Sequence, residues 1–239
     1  RSNGRGGQPA STALVADRVD LAALTALATH LPLGTPTHGW LARLQPVGQV
    51  QKLSASWQGD WPGAAGYRAK GRVEGLGLTG EDSGQTSPYG PYPLPGRPGI
   101  RQATVDVEFD QDGGQAQVQV QDGALELPGV FEERLLPLQR LQTEARWTVK
   151  GERIEVQLER LSLANADAEG TGQVRWHTGD PATSSARSRF PGVLDLSATL
   201  TRADATRVHR YLPLNLGEPA RRYVREALGT TGLHRLAPV

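Results

Sequence analysis

Two stretches of the chain carry residue types at spacings that suit ligand chemistry. Gly75-Leu76-Gly77-Leu78-Thr79-Gly80 fits G-x-G-x-x-G, in which glycines bring backbone N–H groups against a dinucleotide pyrophosphate where a helix begins. A proline-rich stretch comes after it instead of a helix pattern, so the phosphate would have no helix N-terminus to sit on. Asn165-Ala166-Asp167-Ala168-Glu169-Gly170 opens like a calcium loop, but Trp176 stands at the twelfth position, where a bidentate Glu must close the cage. A polar turn between strands accounts for it better.

The other reactive side chains are scattered. His30, His38, His177, His209 and His234 include no i, i+4 pair and no HExxH pattern. There is no G-x-S-x-G elbow and no P-loop lysine, and with 0 Cys there is no thiolate nucleophile, disulfide or Cys-ligated metal. Glu132 and Glu133, beside Phe131 and Leu135, read as a solvated helix or turn edge rather than a general acid and base. No enzyme, cofactor or metal is therefore expected. With 26 Lys plus Arg against 25 Asp plus Glu, the net charge of +1 offers no global field for nucleic acid, and no local basic patch replaces it. Only Lys52, Lys70 and Lys150 are lysines, which reads as genome composition.

The elements that would carry a site are strands. Of 239 residues, 29 are Gly and 17 Pro, and only 37% are hydrophobic, so large core formers are thin. Thr104 to Asp110 alternates Val105, Val107 and Phe109 with carboxylates; Asp112-Gly113-Gly114 turns the chain into Gln115 to Gln121, which alternates Ala116, Val118 and Val120 with glutamines. The pattern predicts a hairpin. A second pairs Ala145, Trp147 and Val149 with Ile154, Val156 and Leu158 across Lys150-Gly151-Glu152. Parity reverses near Glu159 and Arg160, and again at Gly75, predicting bulges. Leu53 to Trp57, Gly170 to His177 and Val193 to Leu200 are further strands. Strands with one apolar face build a sheet wet on the other side, and so few large hydrophobes suit an open, curved sheet better than a sandwich. Trp57, Trp147 and Trp176 are in phase with the apolar face, where they either pack on the sheet or stand at the mouth of a groove.

Helix patterns flank this region. Asp20 is a candidate N-cap for a helix through Leu21, Leu24, Leu27 and Ala28, and a second short helix is expected around Trp40, Leu41 and Leu44. Leu21 to Ala42 is uncharged but is broken by Pro32, Pro36, Gly34 and Gly39, so it does not span a membrane. Near the other end, Ala220, Tyr223, Val224, Ala227 and Leu228 form one helical stripe, with Gly229 at the C-cap. These two regions are alike. Trp40 through Leu53 aligns without a gap on Tyr223 through Leu236, after Leu31-Pro32-Leu33 and Leu212-Pro213-Leu214, and after Arg18-Val19-Asp20 and Arg202-Ala203-Asp204. The expected organisation is a flexible linker at 1–13, a helical crossover at 14–47, and an antiparallel sheet unit at 48–202 with long loops at 79–99 and 178–192. A second crossover, starting the next repeat, covers 203–239. The chain is expected to be one period of a longer array, with flanking repeats of the same polypeptide as its neighbours.

Gly123-Ala124-Leu125-Glu126-Leu127-Pro128-Gly129-Val130-Phe131, the 165–170 stretch, Pro191-Gly192-Val193-Leu194-Asp195-Leu196, Arg202-Ala203-Asp204 and Arg210-Tyr211-Leu212-Pro213-Leu214 occur in this order. Together they resemble the periplasmic region of the YhdP family, within the AsmA-like group; the proline-rich loop has no counterpart. The resemblance implies a mainly β fold, an elongated, curved antiparallel sheet forming a repeating β-groove, with short helical crossovers near both ends. It also implies an inner-membrane-anchored, periplasmic protein that carries phospholipid between the inner and outer membranes, touching membranes through regions outside this sequence. Acyl chains would then lie on Val105, Val107, Phe109, Val118, Val120, Trp147, Val149, Ile154, Val156, Leu158, Leu194 and Leu196. The alternative expectation is a closed β-sandwich that scaffolds a larger cell-envelope protein.

Overall fold

The alternating segments fold as strands and pair in chain order. The computed structural model describes residues 11–28, 39, 42–59, 66–88, 90–180, 182 and 189–229. Its strands are β1 (Ser11–Asp20), β2 (Val47–Gln58), β3 (Gly66–Leu78), β4 (Gly99–Asp110), β5 (Gly113–Glu126), β6 (Leu135–Lys150), β7 (Arg153–Ala164), β8 (Ala168–His177) and β9 (Val193–Ala203). They form one antiparallel sheet in the order β1 to β9. The helices are α1 (Leu21–Ala28) and α2 (Glu218–Gly229), with 3-10 helices at Ala205–Tyr211 and Leu214–Leu216 before α2. Both expected hairpins form: Val105 pairs with Val118 and Val107 with Ala116, while Trp147 pairs with Val156 and Val149 with Ile154; the first turns at Gln111-Asp112, so Gly113 and Gly114 of the expected turn are already in β5. A single sheet rules out the closed sandwich, which needs a second one.

Curvature comes from bulges. Lys52, Gly75, Gln102, Asp122 and Arg160 have positive φ, at +53°, +62°, +60°, +49° and +50°. All five fall at register shifts between neighbouring strands. Each extra residue advances the side-chain alternation by one, so Val73 and Leu76, or Leu158 and Leu161, stay on the same face although their spacing is odd. A bulge also bends its strand and increases its twist, and five of them curl the sheet over its apolar face. Ala103 and Val120 are consequently 0% and 1% exposed, packed with Leu138 and Leu141. A flat single layer would leave them open to water.

Two expectations are corrected. Ser11–Asp20 is a strand, not the end of a linker followed by a helical crossover: Leu14 and Ala16 pair beside Ala55 and Leu53, and the strand supplies hydrogen bonds to the outer edge of β2. The sheet therefore starts well before residue 48. Glu132 and Glu133 stand in the bend between β5 and β6, at the turn edge expected for them, and β6 begins at Leu135. The stripe on α2 is not its buried face, since Tyr223 is 73% exposed and Arg221 is the buried residue. Asp20 does cap α1, accepting from the Ala23 N–H at 2.8 Å. Of the helix expected around Trp40, Leu41 and Leu44, residues 39 and 42–44 are helical while Trp40 and Leu41 lie outside the described residues, as do the first ten residues, 230–239 and most of 181–188.

Candidate functional site

Directly paired residues in a sheet point to the same face, so the register can be followed across all nine strands. One row runs Leu14, Ala55, Ala69, Phe109, Gly114, Trp147, Val156, Trp176, Leu194. A second runs Gly71, Val107, Ala116, Ala145, Leu158, Val174, Leu196. Neither contains an ionisable side chain. At a strand spacing of about 4.8 Å, the first row is an uncharged path of roughly 38 Å across the strands. Its smallest member makes room for its neighbours: a Cβ on Gly114 would stand 2.5 Å from both Phe109 Cβ and Trp147 Cζ2, so the indole lies over bare backbone.

All twelve expected lining residues lie on this inner face, but not in one environment. Val120 and Val105 are sealed in the core. Val107, Phe109, Val118, Trp147, Val149, Ile154, Val156 and Leu158 are half-buried. Leu194 and Leu196 are 61% and 62% exposed. Val174 and Trp176 of β8 connect Leu158 and Val156 to these leucines, and the contributions of β1 to β3 complete the surface on the other side. The alternation that marks Val174 and Trp176 was visible in the sequence; Leu14 and Ala16 carry no comparable signal.

The outer face is polar. Lys70–Glu108 at 3.7 Å and Arg72–Asp106 at 2.6 Å join β3 to β4 across it. Such exposed pairs contribute little, about 0–1 kcal/mol each. A shallow depression of about 650 Å³ lined by Glu159, Thr171, Gln173, Ser197 and Thr199 opens on this side, beside the bulge at Arg160. Leu161, Gly172 and Ala198 complete its lining, so its walls are as much apolar as polar.

The two rims of the sheet differ. Gln111-Asp112 and Gly151-Glu152 turn tightly at one rim, where the longer connections 59–65 and 178–192 also join β2 to β3 and β8 to β9. On the other rim the connections, of which 165–167 is short and the rest are long, are bonded to one another: Thr79 N–H donates to Leu44 O at 3.0 Å, Gly96 N–H to Pro128 O at 2.9 Å, and Leu214 N–H to Val130 O at 2.9 Å. The G-x-G-x-x-G stretch ends here. Gly80 N–H donates to the Glu126 carboxylate at 2.9 Å, so a carboxylate occupies the place a phosphate would need. Glu126 is buried and also meets Arg101 and Arg134; the Gly80 N–H, more than these cations, holds its pKa below the usual carboxylate range.

Glu132 and Glu133 belong to this rim. Arg210 grips Glu133 through Nε at 2.8 Å and Nη2 at 2.5 Å, and reaches Asp167 through Nη1 at 2.5 Å. Its hydrogen bond holds Glu133 below the ordinary carboxylate pKa. Tyr211 donates to Asp167 at 2.9 Å and its ring meets Phe131 edge-on at 6.3 Å; burial, then that bond, raises its pKa. Arg221 and Arg225 both bind Glu132. The loop that opens like a calcium site is thus bound to arginine and tyrosine. Among the described residues no group of three or more acidic or histidine side chains could hold a metal ion, and no helix is long and apolar enough to cross a membrane.

An open, curved antiparallel sheet with an uncharged inner face and a polar outer one is a β-groove. The chain belongs to the YhdP protein family, whose sequence model matches residues 3–236. No curated protein and no solved structure matches it. The stretches that carried the resemblance mostly meet on the rim of long connections: 123–131, 165–170, Arg202 to Asp204 and Arg210 to Leu214 are bonded to each other there.

Proposed function

We propose that this chain is a non-enzymatic segment of a periplasmic, inner-membrane-anchored bridge, and that its inner face carries phospholipid acyl chains between the inner and outer membranes. The observation that supports this most is the row from Leu14 to Leu194, nine residues from nine strands without a charge. Burial of acyl CH₂ groups on it contributes about 0.8 kcal/mol each, with no directional bond to break as the lipid moves. Neighbouring positions are then nearly equal in energy, which is the condition for sliding. Family membership and the open sheet fit a groove that serves lipid; the lipid, its route and the compartment are this reading's own.

Mass spectrometry of the chain purified without added detergent tests it. Phospholipid retained above a control protein, and displaced by added lipid, is the expected result. Absence of lipid in a folded preparation overturns it.

A further inference from the structure

Five aromatic residues are borne by strands, and all five lie at one rim. Trp57, Tyr67, Phe109, Trp147 and Trp176 each stand within four residues of the end of β2, β3, β4, β6 and β8 that faces the tight turns. The register places them together on the inner face: Trp57 pairs with Tyr67, and Phe109, Trp147 and Trp176 share the uncharged row. Tyr67 meets Phe109 edge-on at 6.3 Å. Phe190, from the loop before β9, stacks on Trp176 at 6.2 Å, and Arg189 lies 5.9 Å above its ring. Six aromatics thus edge this side of the groove.

Toward the opposite side the middle strands are covered, with Ala103, Val120, Leu138 and Leu141 buried. Following β4 from Phe109 toward the rim of long connections, the inner face passes Val107 and Val105 and reaches Ala103, which is sealed. Those six strand steps measure about 20 Å, against about 15 Å for the hydrocarbon of one bilayer leaflet. Tryptophan and tyrosine prefer the boundary where hydrocarbon meets headgroups, because their rings are apolar and their N–H or O–H is not.

We infer that the groove is polarised across its width: a bound lipid lies with its headgroup at the tight-turn rim, level with Trp147 and Trp176, and its acyl ends toward Ala103 and Leu141. This rests on the lipid reading above and adds a direction to it. Only one rim would then need to be open to water, and the interlocked rim would never meet a headgroup.

The test uses the wild-type chain loaded with phosphatidylcholine carrying a nitroxide either on the headgroup or at the acyl terminus. Line broadening of the tryptophan indole N–H signals is read by NMR, with assignment by single Trp→Phe substitutions. The headgroup label is expected to broaden the Trp147 and Trp176 signals severalfold more than the tail label, and the tail label to broaden the Leu138 and Leu141 methyl signals more. Equal or reversed broadening with lipid retained overturns the polarity and leaves the lipid reading standing. Failure to retain either labelled lipid overturns both.

Discussion

Val156 points into the groove and its neighbour Gln157 points out, so β7 contains its own control. Val156→Asp places a carboxylate in the uncharged row, where desolvation costs several kcal/mol; Gln157→Asp leaves the charge in water. Lipid retention by Val156→Asp is expected to fall at least about tenfold, equivalent to about 1.4 kcal/mol, while Gln157→Asp stays near wild type. Circular dichroism and protease resistance separate loss of lipid from loss of fold. Glu126 offers a second test at this scale. Its folded pKa lies below the ordinary value of 4.5, so the unfolded chain binds its proton first as pH falls. The stabilisation is complete above about pH 4.5 and is lost as pH falls through the folded value. Glu126→Gln should lower stability by about 1–3 kcal/mol at neutral pH, with the gap to wild type closing in acid. Denaturant titrations at several pH values measure both.

At the scale of elements, the second crossover is held on the rim by charge rather than by its apolar stripe. Removing Arg210 leaves Asp167, 8% exposed, without its cation. Arg210→Ala should therefore cost about 2–3 kcal/mol and speed hydrogen exchange from Ala205 through α2, with β4 and β5 unchanged. Legibility in the sequence divides along the same line between strands and rim. Hairpins built on strict alternation could be read, and the bulges near Gly75 and Arg160 showed as parity breaks. β1 could not, because Ser11 to Asp20 has no clean alternation and depends on the neighbouring β2. The first part of β6 was hidden by its own parity switch between Leu138 and Leu141. The inner face was readable because one strand's pattern defines it; the rim network was not, because Glu133, Asp167 and Arg210 meet only after three connections fold together.

For the whole molecule, β1 and β9 are the two edges of the described sheet. Val15 is 74% exposed on one, and all of β9 is exposed on the other. Unpaired edges recruit further strands, so the chain is expected to self-associate reversibly. Val15→Lys with Thr199→Lys should shift it toward monomer in sedimentation equilibrium; an unchanged distribution would place the contact elsewhere.

The repeat expected from the sequence also bears on parity. β1 and β9 each run out into Arg-x-Asp, and in both copies the Asp caps the next helical turn: Asp20 caps α1, and Asp204 accepts from Thr206 N–H at 2.9 Å. If β9 stands where β1 stood one period earlier, the period is eight strands. Eight is even, so in an antiparallel meander β9 runs in the same direction as β1 and both crossovers leave from the same rim. With an odd period, successive crossovers would alternate sides and obstruct each mouth in turn. With an even one, any number of such units would keep a single uninterrupted lip, and a lipid passing between them would never have to turn over.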